Sequence, residues 1–211
     1  MSESIKTNWL PIAAEIVFIL CCLAADREYF IYINFSFYAL LALYFCIRKD
    51  LVLKEWLDSL KSGRRFWKQV LWTLLSLVSA FVLTSLLENA FPHLDKGMIL
   101  LKADNAFELI LFIGSTILFP AAVEETFYRK NLISFQNRTA LLCTALFSMF
   151  LYALEHALTI WGIFLCMIWA LPLSISYIKT KNIHVAMTAH FICNLLMNGI
   201  TAMEVFCFLL N

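Results

Sequence analysis

The sequence predicts an all-α, polytopic transmembrane bundle of seven or eight helices. Three observations carry this. Hydrophobic residues make up 62% of the chain and the mean hydropathy is +0.81. Charged residues are only 15%, well below the roughly 25% of soluble domains. The apolar residues are gathered into runs close to the ~20 residues a helix needs to cross a bilayer.

The runs are 9–23, 29–47, 70–90, 107–128, 140–158, 161–178 and 184 to the end of the chain. They make seven spans, or eight if the last breaks at Gly199. The first is followed by Ala24-Ala25, as a signal peptide would be, but only Lys6 precedes it, and it reads as an uncleaved anchor. After the second comes the only long polar stretch, 48–68. There Leu51, Leu53, Trp56, Leu57, Leu60 and Phe66 recur at roughly helical spacing among basic residues. This stretch is either an amphipathic helix on the inner membrane face or a solvated basic loop.

The segment 91–105 holds a lone His93 among mixed charges and is assigned no role. Glu15, Glu88 and Glu204 lie near helix ends, where snorkelling or a local hydrogen bond suffices. All seven cysteines lie in apolar runs without CxxC spacing, so they read as packing residues.

An inside N-terminus gathers nearly all the basic residues on one side: Lys6, the cluster from Arg48 to Lys68, Arg129, Lys130, Arg138, Lys179 and Lys181. Only Arg27, Lys96 and Lys102 fall opposite. The positive-inside rule therefore predicts a cytoplasmic N-terminus. Nothing in this pattern calls for nucleic acid, because anionic lipid headgroups account for the basic cluster beside the membrane.

Ionisable side chains inside apolar runs are expensive and usually functional. Glu124 and Glu125 close one such run, followed by Arg129. Glu125 and Arg129 are four apart, acid before base, the favourable order for an intrahelical pair. Glu124 points about 100° away and lacks that partner, in an apolar setting suited to a proton acceptor. Taken alone, the run reads equally well as a charged cluster at a helix end.

Tyr152 and His156 share one helix face, and His190 and Asn194 share another. Imidazole and carboxamide on one face supply two donors for a developing oxyanion. The bland readings are a satisfied interface histidine and interhelical polar glue.

The ordered set is more specific than its parts. Glu124 to Arg129 reads EExxxR, Tyr152 to His156 resembles FxxxH with Tyr for Phe, and His190 to Asn194 reads HxxxN. Over residues 70–199 the chain resembles the CAAX-protease and bacteriocin-processing (Abi) family, which includes the type II CAAX prenyl endopeptidases. Two departures are Tyr152 and Lys130, the latter where a glycine often follows the motif arginine.

The resemblance implies a glutamate-dependent intramembrane endopeptidase with its active site inside the membrane and no metal or other cofactor. Glu124 and His156 would activate water, and His190 and Asn194 would form the oxyanion hole. Glu125, Arg129 and Tyr152 would support the site. The implied partners are the lipid bilayer and a membrane-associated peptide, of CAAX or leader type, in the cytoplasmic membrane of a bacterium. Residues 69–211 would be the protease core, and 1–68 two helices plus the basic segment. Oligomeric state is not legible.

Two rivals remain open. One is a zinc hydrolase with His156, His190 and Glu124 or Glu125 as ligands, although HExxH is absent and Asn194 is a poor zinc ligand. The other is a non-catalytic immunity or signalling protein of the same fold.

Depth imposes one further expectation. A helix starting near Ala140 puts His156 about 24 Å along its axis. Glu124 matches that depth if its own helix runs on to about Gln136.

Overall fold

A computed structural model describes residues 9–210; Lys6, counted in the charge asymmetry, lies outside them. The described chain is helical almost throughout: α1 (Trp9–Ala24), α2 (Phe30–Ile47), α3 (Leu53–Ser59), α4 (Arg64–Ala90), α5 (Ala106–Asn131), α6 (Arg138–His156), α7 (Ile160–Thr180) and α8 (Ile183–Leu210). Apart from α1 and α3, each long helix, α2 being taken with the turn that precedes it, is long and apolar enough to cross a membrane, and α1 is a shorter apolar helix. The chain is an integral membrane protein. Leucine, isoleucine, phenylalanine and tryptophan cover much of the outer surface, as a lipid solvent requires.

The last apolar run does not break at Gly199, because α8 continues unbroken to Leu210. A single glycine costs a helix only about 1 kcal/mol, too little to end one supported along its length.

The basic stretch 48–68 divides between the two readings offered for it. Only Leu53–Ser59 forms a separate helix. It is held on the bundle by Trp56 Nε1, which donates to Thr188 Oγ1 at 2.9 Å, and by Ser59 Oγ, 2.7 Å from His184 Nδ1. Gly63, with φ +83°, then turns the chain. The next helix begins at Arg64, earlier than the apolar run at 70, so Phe66 belongs to a span and is buried in its core.

Helix α5 is irregular in a way its sequence explains. Residues Gly114–Leu118 form a π-helical turn in which the Phe119 amide reaches back to the Gly114 carbonyl. That widening leaves the Ser115 carbonyl without its usual helical donor. Pro120 has no N–H, so the Thr116 carbonyl loses its donor as well. In a membrane both must be satisfied from elsewhere. Asn34 of α2 donates to Ser115 at 3.4 Å, and Asn198 of α8 donates to Thr116 at 3.0 Å. The break in α5 thus becomes the point where α2 and α8 are tied to it, a little over two turns before Glu124.

A second π-helical stretch, Glu125–Asn131, ends the helix. The expected continuation to Gln136 does not occur. Residues 132–137 leave the helix instead, and the Ser134 amide donates to Thr144 Oγ1 at 2.9 Å. Ser134 is therefore level with Thr144. From there, twelve residues of α6 rise about 18 Å to His156. Nine residues at helical rise, to Ile133, whose amide still reaches the Arg129 carbonyl, and one step beyond cover about 17 Å back to Glu124. A shorter helix, tied to α6 through Ser134 and Thr144, supplies the depth that the sequence assigned to a helix running on to Gln136. Lys130 helps fix this end, donating to the Asp50 carbonyl at 2.5 Å.

Candidate active site

A cavity of about 450 Å³ lies among α2, α5, α6 and α8. Glu124, Tyr152, His156, His190 and Asn194 all line it. Glu125 and Arg129 stand behind its wall, each 0% exposed. All seven side chains singled out in the sequence are therefore gathered in one place, from three helices far apart in sequence.

The geometry divides the two glutamates. Glu125 Oε1 faces Arg129 Nη1 at 3.4 Å and lies 2.9 Å from His190 Nδ1. The guanidinium also donates through Nη2 to the Ala170 carbonyl at 3.3 Å and sits 4.7 Å from the Tyr152 ring centroid. Glu125 and Arg129 thus clamp His190 from behind. Tyr152 has two roles, since its ring carries the arginine on one side and stacks on His156 at 4.4 Å. Phe would keep both ring contacts, so the Tyr-for-Phe departure preserves the packing.

Glu124 makes different contacts. Tyr38 donates a short hydrogen bond to its Oε1. Its Oε2 has no hydrogen-bond partner and lies 3.9 Å from His190 Nε2. His156 Nδ1 is 2.9 Å from the Tyr152 carbonyl. A carbonyl can only accept, so Nδ1 carries the proton and a neutral ring keeps its lone pair on Nε2.

Other polar side chains at the site were not legible as such in the sequence. Tyr38, Asn34 and Asn198 lie in apolar runs where each reads as ordinary packing, and only their cross-helix bonds give them a part. Glu15, read as a helix-end residue, and Glu155, next to His156 in the chain, are both buried and meet at Tyr128. Among the described residues no three His, Cys, Asp or Glu side chains come together as a metal site would need.

Residues 106–196 match the family model described as type II CAAX prenyl endopeptidase Rce1-like. This core is similar to the Rce1-like endopeptidases. The match covers α5, α6, α7 and the first half of α8, and hence every residue of the EExxxR, YxxxH and HxxxN sets. Helices α1 and α2, which supply Glu15, Asn34 and Tyr38, lie outside it. No curated protein and no solved structure matches the chain.

Proposed function

We propose that this chain is a glutamate-dependent intramembrane endopeptidase that needs no metal, acting on a membrane-associated peptide. The observation that carries the reading is the convergence of Glu124, His156, His190 and Asn194 on one cavity inside a membrane-spanning bundle. The Rce1-like match over the segment that holds all four supports it.

In this reading a water molecule sits between Glu124 Oε2 and His156 Nε2. Tyr38 occupies Oε1, which leaves Oε2 as the basic oxygen. Glu124 takes one proton from the water while the oxygen attacks the peptide carbonyl. Charge then develops on the carbonyl oxygen, where Asn194 Nδ2 and His190 Nε2 donate to it. Because His190 Nδ1 already donates to Glu125, a donating Nε2 makes that ring a cation, and Glu125 and Glu124 are its counter-charges. Collapse of the intermediate passes the proton from Glu124 to the leaving amine, giving a carboxylic acid and an amine. Glu125 and Arg129 act by holding His190.

Residues 69–211 form the catalytic core in this reading, with 1–68 supporting it. The N-terminus is cytoplasmic, as the basic residues favour, and the membrane is the cytoplasmic membrane of a bacterium. The cavity wall includes Ile99, Leu100 and Leu101 from the loop between α4 and α5, on the face opposite the basic segment. A peptide therefore enters from that face.

The test is cleavage of candidate peptides, prenylated and unprenylated, by reconstituted protein and by Glu124→Gln. An amide cannot take the proton, so the variant should fold and insert but leave the peptide intact. A Glu124→Gln variant that cleaves like wild type removes the mechanism.

A further inference from the structure

Behind Glu124 lies a buried cluster that the proposed chemistry does not use. The Tyr128 hydroxyl oxygen is 2.6 Å from Glu15 Oε2 and 2.6 Å from Glu155 Oε2. Glu15 is 0% exposed, Tyr128 1% and Glu155 4%. The Tyr38 hydroxyl, bonded to Glu124 Oε1, also faces Glu155, whose Oε1 has no hydrogen-bond partner. Tyr128 thus joins Glu15 to Glu155, Tyr38 holds Glu124, and the unpartnered Glu155 Oε1 is the atom that can join the two pairs in the order Glu15, Tyr128, Glu155, Tyr38, Glu124.

We propose that Glu15, Tyr128, Glu155 and Tyr38 form a directed hydrogen-bond relay in which Glu15 and Glu155 are neutral acids and which presents Glu124 with only Oε2 open to the cavity. The relay rests on the proposed role of Glu124. Its protonation pattern follows from counting donors.

A phenol has one proton to give. Were Glu15 and Glu155 both carboxylates, one of them would sit at hydrogen-bond distance from an oxygen with nothing between them. At least one must donate. If Tyr38 gives its proton to a charged Glu124, a hydrogen bond between Tyr38 and Glu155 forms only with Glu155 as the donor, which gives the unpartnered Oε1 its role. Glu155 then accepts from Tyr128, and Tyr128 accepts from Glu15. Every group in the chain has a role in one direction, and the direction ends at Glu124.

Charge balance agrees. The groups facing the cluster are Arg129, His190, His156 and Cys22. Arg129 offsets Glu125, and a protonated His190 offsets Glu124. Among the described residues no buried cation remains for Glu15 or Glu155. Two further bare charges inside a membrane bundle would be costly, whereas neutral acids that both donate and accept are not.

Glu15 and Glu155 are thus positioning residues acting through tyrosines, and glutamine is their faithful substitute. In Glu15→Gln the new side-chain amide donates to Tyr128. In Glu155→Gln it donates to Tyr38 through its nitrogen and accepts from Tyr128 through its oxygen. Alanine does neither, and Tyr128→Phe cuts the relay at nearly constant volume. Activity of Glu15→Gln and Glu155→Gln should stay within about threefold of wild type, since both hydrogen bonds survive. Glu15→Ala, Glu155→Ala and Tyr128→Phe should lose on the order of 10²-fold in kcat, as a misplaced catalytic group does.

The direct readout is infrared spectroscopy of wild-type protein carrying ¹³C-labelled glutamate. It should show carboxylic-acid C=O stretches from buried, protonated glutamates at neutral pH, one lost in Glu15→Gln and another in Glu155→Gln. Absence of these bands in the wild type overturns the relay. So do glutamine variants that fall as far as the alanine variants. The spectrum needs no turnover, so it decides the relay even if Glu124→Gln shows that the proteolytic reading is wrong.

Discussion

Arg129→Ala should cost this protein several kcal/mol of stability, and the structure sets the scale. The guanidinium and its partner Glu125 are each 0% exposed. Removing one partner of a buried pair costs about 3–5 kcal/mol, and here Glu125 keeps a second partner in His190 Nδ1 at 2.9 Å, so its charge is under-compensated rather than bare. The 3.4 Å separation is longer than a good hydrogen bond, which argues for the lower end, about 3 kcal/mol. The arginine also loses its place over Tyr152 at 4.7 Å, worth up to about 2 kcal/mol in a desolvated site.

The two losses share a side chain and do not simply add, so about 4 kcal/mol is expected. For a chain of 150–250 residues each kcal/mol shifts Tm by about 2–4 °C, so the fall should be about 8–16 °C. Thermal unfolding in detergent, followed by tryptophan fluorescence, measures it. Glu125→Ala should fall similarly, because it strands the arginine. The double variant Glu125→Gln with Arg129→Met should recover part of the loss, since it leaves no bare charge. If Arg129→Ala melts within about 2 °C of wild type, the pair is worth less than 1 kcal/mol and the burial argument is wrong.

Asn194→Ala should leave peptide binding largely intact and lower kcat by about 10²- to 10³-fold, the usual loss for one oxyanion donor; an unchanged kcat would remove Asn194 from the oxyanion hole. Asp at the same position should be worse, because it presents negative charge to the developing oxyanion. Activity should survive exhaustive chelation, and a chelator-sensitive protein restored by zinc would instead favour the metal hydrolase. Gly162→Ala should disturb the site from a distance. Its new methyl would collide with the Lys96 carbonyl and lie 2.7 Å from the Ala157 Cβ. The loop that pairs with His156 through Ile99 would have to move, at about 1–3 kcal/mol and with reduced turnover. A variant as stable and active as wild type would show that the loop has slack there.

The sequence by itself determined the helical membrane class, because a bilayer leaves a chain few ways to satisfy its backbone and each way imposes a run length. It also marked the polar residues worth attention, since charge inside an apolar run stands out. EExxxR, YxxxH and HxxxN are local patterns, each set by helical spacing along one segment. What joins them is not local. The depth match between Glu124 and His156 depends on residues 132–137 leaving the helix, which no periodicity announces. The carbonyls freed by the π-helical turn and Pro120 are capped by Asn34 and Asn198, more than eighty positions away in either direction. Tyr38 on Glu124, and Glu15 beside Glu155, likewise come from helices outside the recognisable motifs. In the sequence these are single polar residues in apolar runs. Only packing assigns their partners, because a hydrogen bond between helices depends on the angle and register at which they cross.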